Sequence, residues 1–425
     1  ARARGRYPEN QKQSHQLIKS LFAYRHINLE YTMTKNFSLT ATAEPRIATP
    51  LVNKLMLLMA GFILIGVAGG IYAQAIGHHH AFANTREMPW GMLIGTYAFF
   101  AIISTGLCLL AAISHIFGGN KLAPLGNRMV WLSIVAIMGA FTVIGLEIEN
   151  PWRMPIGNIF FPNLTSNIWW MGTLYGMAVG FMFVEFYLIL TKKYSAAIVL
   201  GVMGAVAEAS ANSNLGAVFA SLGSRPFWYG SQLPIFFLAS AFLSGASAII
   251  VFTFSAHLLR RTKMNQTTFE GMQAAGKIMG LTLFLIGIAT AWKFINALCG
   301  SEETILAARS LINGPLSITF WIFEIGIGLA LPFALLMISR MHSIQAMSTA
   351  ALMVLIGQFF SRFNLVAAGE IVPIYLGYDD LPTYLSYVPS AAEFSLVVGG
   401  IGVLGLGFLL GERFFGKAFD SHNNH

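Results

Sequence analysis

The stretch "GLEIENPWRMPIGNIFFPNLTSNIWWMGTLYG", Gly145 to Gly176, joins two long apolar segments through a short polar loop. The segment 129–148 ends in it and the segment 167–190 begins in it. Each is long enough to cross a bilayer, which takes about 20 mainly apolar residues in a helix. Two glutamates and an arginine lie at the junction. This pattern predicts two membrane-spanning helices whose connecting loop lies at the membrane surface.

The composition of the whole chain is typical of a membrane protein. Its 425 residues are 56% hydrophobic and only 10% charged, whereas soluble globular proteins carry roughly 25% charged residues. The 42 glycines fit closely packed membrane helices, since small residues let helix backbones approach each other. The net charge of +8 is explained by the side of the membrane on which the basic residues lie, so we expect no nucleic-acid partner.

Ten segments are long and apolar enough to span a membrane. They are 54–77, 91–117, 129–148, 167–190, 195–219, 232–258, 275–298, 316–339, 346–366 and 392–411. Apolar runs of this length without alternation predict helices rather than barrel strands, because backbone groups in lipid must form hydrogen bonds within the segment. We therefore predict an all-α integral membrane protein with about ten transmembrane helices.

Basic residues between the predicted spans lie mainly on one side. The richer side carries Lys121, Arg128, Lys192, Lys193, Arg260, Arg261, Lys263, Lys277, Arg340, Arg413 and Lys417. The opposite loops carry Arg86, Arg153, Arg225 and Arg309. By the positive-inside rule the richer side is cytoplasmic, and this places both termini in the cytoplasm.

The chain divides into a membrane domain and two polar ends. Residues 1–50 are polar and basic without an apolar run, which predicts a disordered or non-native extension rather than a secretory signal peptide. Residues 51–415 form the predicted membrane domain, and residues 416–425 form a short cytoplasmic tail. The loops predicted to lie outside are the longer ones. They favour a docking face for a partner, with simple connectors as the alternative.

Charged and amide side chains occur within the predicted spans, where each charge costs at least ~2.5–3.5 kcal/mol to insert. They are Glu147, Glu185, Glu208, Asn212, Asn214, Lys293, Glu324, Arg362 and Asn364. Counting about 1.5 Å per residue places most of them in the outer halves of their helices. This favours a pocket for an amphipathic ligand near the outer surface and a line of protonatable groups toward the cytoplasm. The alternative is a set of buried pairs, such as Lys293 with Glu324, that only fix helix packing.

The sequence offers few ligands for a redox centre. Cys108 and Cys299 are too few for a four-cysteine cluster and form no CxxC motif. His115 and His257 both lie at predicted inner helix ends, so they do not suggest a haem ligated across a helix bundle. In "GHHHAF", residues 77–82, consecutive side chains point in different directions, which favours a polar cap over a metal site. We predict no haem, no iron–sulfur cluster and no metal site in this chain.

Four motifs follow one another along the chain. They are "MPWGMLIGTYAFFAIISTG" (88–106), "EIENPWRMPIGNIFFPNLTSNIWW" (147–170), "NSNLGAVFASLGSRPFWYGSQLP" (212–234) and "YVPSAAEF" (387–394). Together they resemble the NrfD/PsrC family, the membrane subunits of polysulfide, tetrathionate, nitrite and related reductase complexes. The order of the motifs and the predicted helix count match the ten-helix members of that family.

The resemblance implies two four-helix bundles, formed by the second to fifth and the sixth to ninth helices, with a peripheral helix at each end. It implies a subunit in membrane lipid of the bacterial cytoplasmic (inner) membrane, without a catalytic residue or a redox metal of its own. Such a subunit binds menaquinone or ubiquinone and exchanges electrons with a four-cluster iron–sulfur subunit on the periplasmic side, with proton uptake or release. A molybdopterin or multihaem cytochrome subunit would lie beyond it.

The resemblance also implies quinone-binding residues. Trp90 lies in the Pro-Trp-Gly motif, Tyr97 takes the position of a family histidine, and Asn214 falls near a family tyrosine. Asn212 stands where many relatives have a histidine, and an amide cannot relay protons as an imidazole does. Glu208, one helical turn earlier, therefore becomes the predicted proton acceptor.

The ionisable residues receive two predicted roles. Proton transfer is expected of Glu147, Glu149, Glu185, Glu208, Lys293 and Glu324, since quinone chemistry takes up or releases protons. A structural or partner-docking charge is expected of Arg153, Arg225 and Arg362, since guanidinium groups form charge-assisted hydrogen bonds. The alternative at the junction of the opening stretch is an ion pair that only anchors the loop.

Two other functions stay open on the sequence. Secondary transporters also combine many helices with polar groups near the middle of the membrane, but they show inverted repeats and broken helices. The chain has no such paired interruptions, and Pro332 is a lone interior proline in the predicted spans. A b-type cytochrome would have to use His115 and His257, and a haem spectrum would reveal it.

Overall fold

The computed structural model describes residues 50–115, 119–374 and 382–419. Within these ranges all regular structure is helical, and ten helices are long and apolar enough to cross a membrane. The prediction of an all-α integral membrane protein with about ten transmembrane helices is confirmed. The predicted extension over residues 1–49 and the end of the predicted tail, residues 420–425, lie outside the described residues.

The spanning helices are numbered α1 to α10 along the chain. The first five are α1 (Pro50–Ile76), α2 (Met92–His115), α3 (Gly126–Glu147), α4 (Asn167–Leu190) and α5 (Tyr194–Ala220). The last five are α6 (Gln232–Arg260), α7 (Gln266–Leu298), α8 (Thr319–Ser339), α9 (Ile344–Glu370) and α10 (Ala391–Phe419). The even-numbered helices start at the end that the basic residues predict to be outside. We call it the outer end and the opposite end the inner end.

The observed helix bounds lie close to the predicted spans, with two larger differences at the inner end. Helix α7 begins at Gln266 rather than at 275, because the Asn265 side chain accepts a hydrogen bond from the Thr268 N–H at 2.8 Å and caps the helix. Helix α10 continues to Phe419 rather than ending at 411. Both extensions contain polar residues, which a search for apolar runs does not include.

A buried ion triad stabilises the inner end of α10. The Glu412 carboxylate accepts a hydrogen bond from Arg128 Nε of α3 at 2.7 Å and a second from Arg260 Nη2 of α6. All three side chains are buried. Such a group is strongly destabilised when one partner is removed, because the remaining charges stay buried without compensation. The triad therefore links α3, α6 and α10.

Helix α2 lies at the centre of the molecule and packs against α3, α5, α6 and α9. It crosses α6 where Gly106 faces Gly245, and a Cβ atom on either glycine would overlap the backbone of the other helix. Helices α1 and α10 pack against each other, and α10 also packs against α3. The division into two four-helix bundles with two peripheral helices stays an interpretation, since α2 packs as extensively on α6 as on helices of its own predicted bundle.

The outer end contains ordered connections and one irregular helix. Short helices cover His78–Ala81, Arg153–Phe160 and Glu302–Ile312. Helix α8 is π-helical over Thr319–Ala330 and then α-helical over Leu331–Ser339. Long π-helical segments are rare and often occur at functional sites. Both features lie where the sequence concentrates its polar membrane residues.

Candidate functional site

Tyr387, in the loop before α10, fixes the start of α2. Its hydroxyl accepts a hydrogen bond from the Met92 N–H at 2.6 Å, and this satisfies one of the free donors of the first helical turn. A Cβ atom on Gly91 would overlap the Tyr387 hydroxyl and would lie 2.6 Å from Asn84 Oδ1. The glycine of the Pro-Trp-Gly motif is therefore required by the close approach of two other chain segments.

Glu393, in the first turn of α10, joins the same segments and is fully buried. Its Oε1 accepts a hydrogen bond from the Tyr387 hydroxyl at 2.6 Å, and its Oε2 accepts from the N–H groups of Ser390 at 2.7 Å and Ala83 at 3.2 Å. The Ser390 hydroxyl accepts from the Glu393 N–H at 3.2 Å, which completes a capping box. The motif "YVPSAAEF" thus ties the start of α10 to the loop before α2.

Tyr387 lies outside the spanning helices in an environment that keeps its phenol protonated. Burial raises the pKa of Tyr387, and the neighbouring Glu393 carboxylate raises it further. A neutral phenol can donate to Glu393 and accept from the Met92 N–H at the same time. Tyr387 therefore serves as a fixed joint between α2 and α10.

Arg225, in the connection between α5 and α6, binds main-chain carbonyls of the outer end. Its Nη1 donates to the carbonyls of Glu370 and Val372, each at 3.2 Å, and its Nη2 donates to the carbonyl of Glu87 at 2.5 Å. Burial lowers the pKa of Arg225, and the nearby Glu370 carboxylate opposes this shift. Arg225 therefore joins three segments of the outer end, and its predicted structural or partner-docking role stays a prediction.

Trp90 forms a rigid aromatic wall beside the start of α2. Its main-chain N–H donates to Glu370 Oε2 at 3.0 Å. Its ring stacks on Trp228 with the centroids 5.5 Å apart and meets the Phe219 ring at 5.2 Å. The Trp228 indole donates to the Leu365 carbonyl at 2.7 Å. Trp90 is therefore held in one orientation by contacts with three other parts of the chain.

A pocket of about 650 Å³ opens beside Trp90 at the outer end. Its walls are His78, His79, Phe82, Asn84, Thr85, Arg86, Pro89, Trp90, Ile94, Ile144, Glu147 and Ile148. Among the described residues, four buried atoms of these walls have no hydrogen-bond partner: Glu147 Oε2, Asn84 Oδ1 and both ring nitrogens of His78. Buried polar atoms are normally paired, so these three residues have hydrogen-bonding capacity that the described contacts do not use. The volume lies within the range of about 300–1,000 Å³ that is usual for small-molecule sites.

The two glutamates and the arginine of the opening stretch do not meet. Glu147 is half-buried at the end of α3, whereas Glu149 and Arg153 are exposed. Among the described residues, the side chains of Glu149 and Arg153 form no ion pair. Glu147 alone of the three reaches the pocket.

A second polar group lies deeper, where α2, α3 and α5 meet. The Glu208 carboxylate is fully buried and accepts hydrogen bonds from the Ser104 hydroxyl at 2.9 Å and the Thr105 hydroxyl at 2.6 Å. The Ser104 hydroxyl also contacts the Ser133 hydroxyl of α3 at 3.1 Å. Ser104 lies about 18 Å along α2 from its start at Met92. Glu208 is therefore near the middle of the span.

Two tyrosines lie near this carboxylate on the outer side. The rings of Tyr97 and Tyr175 meet edge to face with their centroids 6.4 Å apart. Both side chains are buried and interact electrostatically with Glu208. Tyr97 lies about 8 Å along α2 from its start. It therefore occupies a level between the pocket and Glu208, and it does not line the pocket.

The two predicted asparagines of α5 have different environments. Asn212 is fully buried, and neither its amide oxygen nor its amide nitrogen has a hydrogen-bond partner among the residues that the structure describes. Asn214 is half-buried and donates to the Asn167 carbonyl at the start of α4 at 2.6 Å. The four predicted quinone-binding residues therefore do not share one pocket. Trp90 lines the outer pocket, Tyr97 and Asn212 lie deeper, and Asn214 joins two helices.

Polar groups continue from Glu208 toward the inner end. Glu185 of α4 is buried, and its Oε1 lies 2.6 Å from the position that a Cβ atom on Gly201 would take. Cys108 of α2 interacts electrostatically with both Glu208 and Glu185. Glu185 lies about 27 Å along α4 from its outer start at Asn167, so the two carboxylates mark the middle and the inner part of one set of helices.

Lys293, Glu324 and Arg362 form a separate group on α7, α8 and α9. Glu324 accepts hydrogen bonds from the Ser361 hydroxyl at 3.0 Å and from the Asn364 amide at 2.7 Å. Arg362 is fully buried against two phenylalanine rings of α6, at 4.4 and 5.1 Å. Lys293 interacts electrostatically with Glu324 and Arg362, but no close ion pair joins Lys293 to Glu324 in the described part of the chain. Lys293 and Glu324 therefore belong to a larger polar group rather than to an isolated ion pair.

The sequence predicts no role for Glu370 and Asn84, and it marks His78, Tyr387 and Glu393 only as members of the motifs "GHHHAF" and "YVPSAAEF". Glu370, Glu393, Tyr387, Asn84 and His78 take their importance from segments that are distant in sequence. The one signal available was the Ser-x-x-Glu spacing in "PSAAEF", which is that of a capping box. Within residues 50–115, 119–374 and 382–419, no three His, Cys, Asp or Glu side chains are arranged so that they could hold a metal ion. The expectation that the chain holds no haem or cluster stays a prediction.

Comparison with known proteins places this arrangement in a family. Residues 81–374, which include all of α2 to α9, match the sequence model described as "Polysulphide reductase, NrfD". The chain is 23% identical over 426 residues to a selenate reductase subunit of Mesobacillus selenatarsenatis, covering 88% of this chain and 97% of that protein. It is 22% identical over 362 residues to the Hdr-like menaquinol oxidoreductase integral membrane subunit of Archaeoglobus fulgidus, covering 81% and 89%. It is 23% identical over 394 residues to a putative dimethyl sulfoxide reductase membrane subunit of Halobacterium salinarum, covering 83% and 89%. The family match spans well over half of the chain and confirms the resemblance found in its motifs, so the chain belongs to the polysulphide reductase NrfD family.

Proposed function

We propose that this chain is the quinone-binding membrane subunit of a respiratory oxidoreductase complex. It would exchange electrons between menaquinone or ubiquinone and a partner iron–sulfur subunit, with proton uptake or release. The observation that carries the proposal is the outer pocket, whose walls combine Trp90 with Glu147, Asn84 and His78, residues that each have a polar atom without a hydrogen-bond partner in the described part of the chain. A flat ring with oxygens on opposite edges can stack on an indole while its oxygens form hydrogen bonds.

The relatives support a quinone as the ligand. The relative from Archaeoglobus fulgidus is named as a menaquinol oxidoreductase membrane subunit. Two others are named as subunits of selenate reductase and dimethyl sulfoxide reductase. These reductases have different terminal substrates, so the shared element is the membrane subunit. An electron carrier common to such complexes must be lipid-soluble, as a quinone is.

In this site the protein residues supply binding and proton exchange. A quinol that is oxidised to a quinone loses two electrons and two protons, and the reverse reaction takes them up. The Glu147 carboxylate can accept a proton from a hydroxyl, and the neutral imidazole of His78 offers a second acceptor. The Asn84 carbonyl oxygen can orient a hydroxyl by accepting its hydrogen bond. Because the pocket lies at the outer end, Glu147 can exchange protons with water on that side, next to the exposed Glu149.

The deeper polar group is assigned to proton transfer rather than to ring contact. Tyr97 and Asn212 lie between the pocket and Glu208, and Glu185 continues the series toward the inner end. A hydroxyl can pass a proton in either direction, since it both donates and accepts. The Asn212 amide has free donors and an acceptor, and it can hold a water in this series but cannot itself carry a proton. We assign the proton-accepting role here to Glu208.

The outer end is also the proposed docking face for the iron–sulfur subunit, with a molybdopterin or multihaem subunit beyond it. The short helix Arg153–Phe160 exposes Arg153 and several apolar side chains, among them Phe160, and the adjacent Trp152 and Phe161 are also exposed. Aromatic and arginine side chains are enriched in protein interfaces. Docking at this end would bring the electron acceptor close to the pocket. The proposed location is the bacterial inner membrane, with both termini in the cytoplasm.

The replacement Glu147→Gln tests this function, and Glu149→Gln is its matched control. Both changes remove one carboxylate at the same helix end, but only Glu147 lines the pocket. We expect Glu147→Gln to lower quinol-dependent turnover of the assembled complex about 10²-fold, the usual contribution of a positioned acid or base. Glu149→Gln should keep turnover close to that of the native complex.

Two control measurements are made on the same variants in which quinol turnover is measured. The amount of assembled complex in the membrane shows whether the variant still folds and docks, and electron transfer from an artificial donor shows whether the partner subunits work. Equal quinol turnover in the two variants, with normal assembly, would show that the outer pocket is not the site of quinol chemistry.

A further inference from the structure

A second cavity, formed mainly by α7 and α8, is unrelated to the outer pocket. It is a cleft of about 740 Å³. Its walls are almost entirely apolar, and the adjacent Phe284, Ile288 and Trp321 are exposed on the outside of the helices. In a spanning helix such a surface faces lipid. The cleft is therefore open to molecules dissolved in the bilayer.

The helix geometry explains why the cleft exists. The wall on α8 lies largely within the π-helical part, Thr319–Ala330, which packs against α9. On the facing side, Gly287 of α7 has no side chain, and a Cβ atom built there meets nothing within 4 Å. The wall from Leu283 to Phe294 extends for about 16 Å along α7. The cleft is thus long enough for a hydrocarbon chain and is kept open by the backbone.

The outer part of the cleft borders a small polar pocket. The two cavities share the walls Thr290, Phe294 and Phe320. The small pocket holds about 10 Å³ and is lined by Lys293, Glu324, Ser361 and Asn364, among others. A space of that size accommodates about one water molecule or one oxygen atom. The cleft therefore combines a long apolar channel with a single polar position at one end.

The polar position has an unused donor, and its acceptors are already engaged in part. Each Glu324 oxygen accepts one hydrogen bond, from Ser361 or Asn364, and the Asn364 carbonyl oxygen accepts from Thr319 at 2.6 Å. The Lys293 ammonium lies 4.2 Å from the centroid of the Phe227 ring. It makes no hydrogen bond to a described residue. The unused Lys293 donors therefore favour a ligand that presents an acceptor oxygen.

Arg362 adds to the excess of donors in this group. It is fully buried on the α9 side, and its Nε and Nη1 atoms have no hydrogen-bond partner within the described ranges. With Lys293 and Glu324 it gives two positive charges against one negative charge. This balance favours an oxygen with partial negative charge over a hydroxyl donor.

We propose that the cleft between α7 and α8 is a second binding site for an isoprenoid quinone. The ring lies beside Phe294 and Phe320, whose own rings are 4.8 Å apart, and one carbonyl oxygen points to Lys293. The isoprenoid tail follows the apolar wall toward Phe333. The quinone as ligand class rests on the proposed function, whereas the site and its residues do not.

Size decides between a quinone and a membrane phospholipid. Both have apolar tails that would fit the cleft. A phosphodiester carries two free oxygens and two ester oxygens around phosphorus, and the small pocket has room for one oxygen. A quinone presents a single carbonyl oxygen at the edge of a flat ring. The cleft therefore fits a quinone better than a phospholipid.

A photoreactive azidoquinone tests the proposal. The purified complex in phospholipid nanodiscs is irradiated with the probe, and labelled peptides are identified by mass spectrometry. We expect labelling in 283–294 or 319–333, in addition to 78–94 or 144–148 at the outer pocket. Gly287→Leu fills the cleft and should reduce the α7 and α8 labelling at least about tenfold while the outer labelling stays.

Gly180→Leu is the matched control. Gly180 is exposed on α4, nothing lies within 4 Å of a Cβ atom there, and it lines neither the cleft nor the outer pocket. It should leave both labelling patterns unchanged. Should Gly287→Leu fail to assemble, Lys293→Met serves instead. It keeps the cleft open and removes the donor, and it should weaken labelling of α7 and α8 about tenfold.

The outcomes separate this proposal from the proposed function. Labelling at the outer pocket alone overturns the second site and leaves the proposed function intact. Labelling of α7 and α8 that native quinone cannot displace, but that added anionic phospholipid can, also overturns it, because the cleft is then a lipid site. Labelling of α7 and α8 that disappears in Gly287→Leu and persists in Gly180→Leu supports the second site, even if the outer pocket is not labelled.

Discussion

Replacing Glu208 by glutamine separates its structural role from its proposed role in proton transfer. The change keeps the shape of the side chain and removes only the group that can bind a proton reversibly. Glu208 accepts hydrogen bonds from the hydroxyls of Ser104 and Thr105. The glutamine carbonyl keeps one of these bonds. The other hydroxyl can turn and accept from the amide, since a hydroxyl both donates and accepts.

The contacts of Glu208 indicate how much the change should affect folding stability and how much it should affect turnover. At most about one neutral hydrogen bond is lost, which is worth about 1 kcal/mol of folding stability. A positioned proton acceptor contributes about 10²–10⁴-fold to rate, which corresponds to about 2.7–5.4 kcal/mol in the activation barrier. We therefore expect Glu208→Gln to assemble normally, to bind quinone normally and to slow quinol-dependent turnover at least about 100-fold.

The assay measures turnover, quinone content and the thermal unfolding midpoint on the same preparation. Ser133→Ala is the control, because it removes a neighbouring hydroxyl that contacts Ser104 and leaves the carboxylate in place. Turnover of Glu208→Gln equal to that of Ser133→Ala would refute the proton-transfer role. Loss of bound quinone would show instead that Glu208 is a ligand.

Two further predictions concern the ends of the helices. Gly91→Ala places a Cβ atom against the Tyr387 hydroxyl and should destabilise the outer end by about 1–3 kcal/mol, which lowers the unfolding midpoint in detergent. Gly157→Ala is the control, because a Cβ atom has open space there, and it should not lower the midpoint. Equal midpoints in the two variants would contradict the packing argument. Glu412→Gln removes the carboxylate that Arg128 and Arg260 share and should cost about 3–5 kcal/mol, measured by thermal inactivation. The adjacent Arg413→Gln should have little effect, and similar losses in both variants would rule out the triad as the cause.

The spanning helices could be predicted from the sequence because the bilayer imposes one simple requirement, a long apolar run. The segment 167–190 was predicted with its observed bounds. The starts and ends that differed, at Gln266 and Phe419, depend on a side-chain cap and on ionic contacts between helices. These are tertiary effects that composition does not record. The π-helical part of α8 was not predicted either, since its residues are apolar in any helical form.

The site was predicted less completely, and for a related reason. The free-energy cost of placing a charged side chain in lipid identifies the unusual residues, and it pointed to Glu147, Glu208 and Glu324. It does not tell which of them meet. Glu393 and Glu370 escaped notice because each lies near a helix end, where a charge is inexpensive, and each acquires its role from a partner far away in sequence.

The partners of the buried carboxylates divide them into two kinds. Glu412 faces two guanidinium groups, which can only donate hydrogen bonds, so a proton on Glu412 would face a donor instead of an acceptor. Glu208 faces two hydroxyls, which can donate to a carboxylate or accept from a carboxylic acid. The same surroundings thus accommodate both protonation states of Glu208 but only one of Glu412. A carboxylate that must cycle between the two states during turnover needs the second kind of environment, and at mid-membrane Glu208 has it. This difference in partners, rather than burial alone, supports the proposed proton-carrying role for Glu208 and a structural role for Glu412.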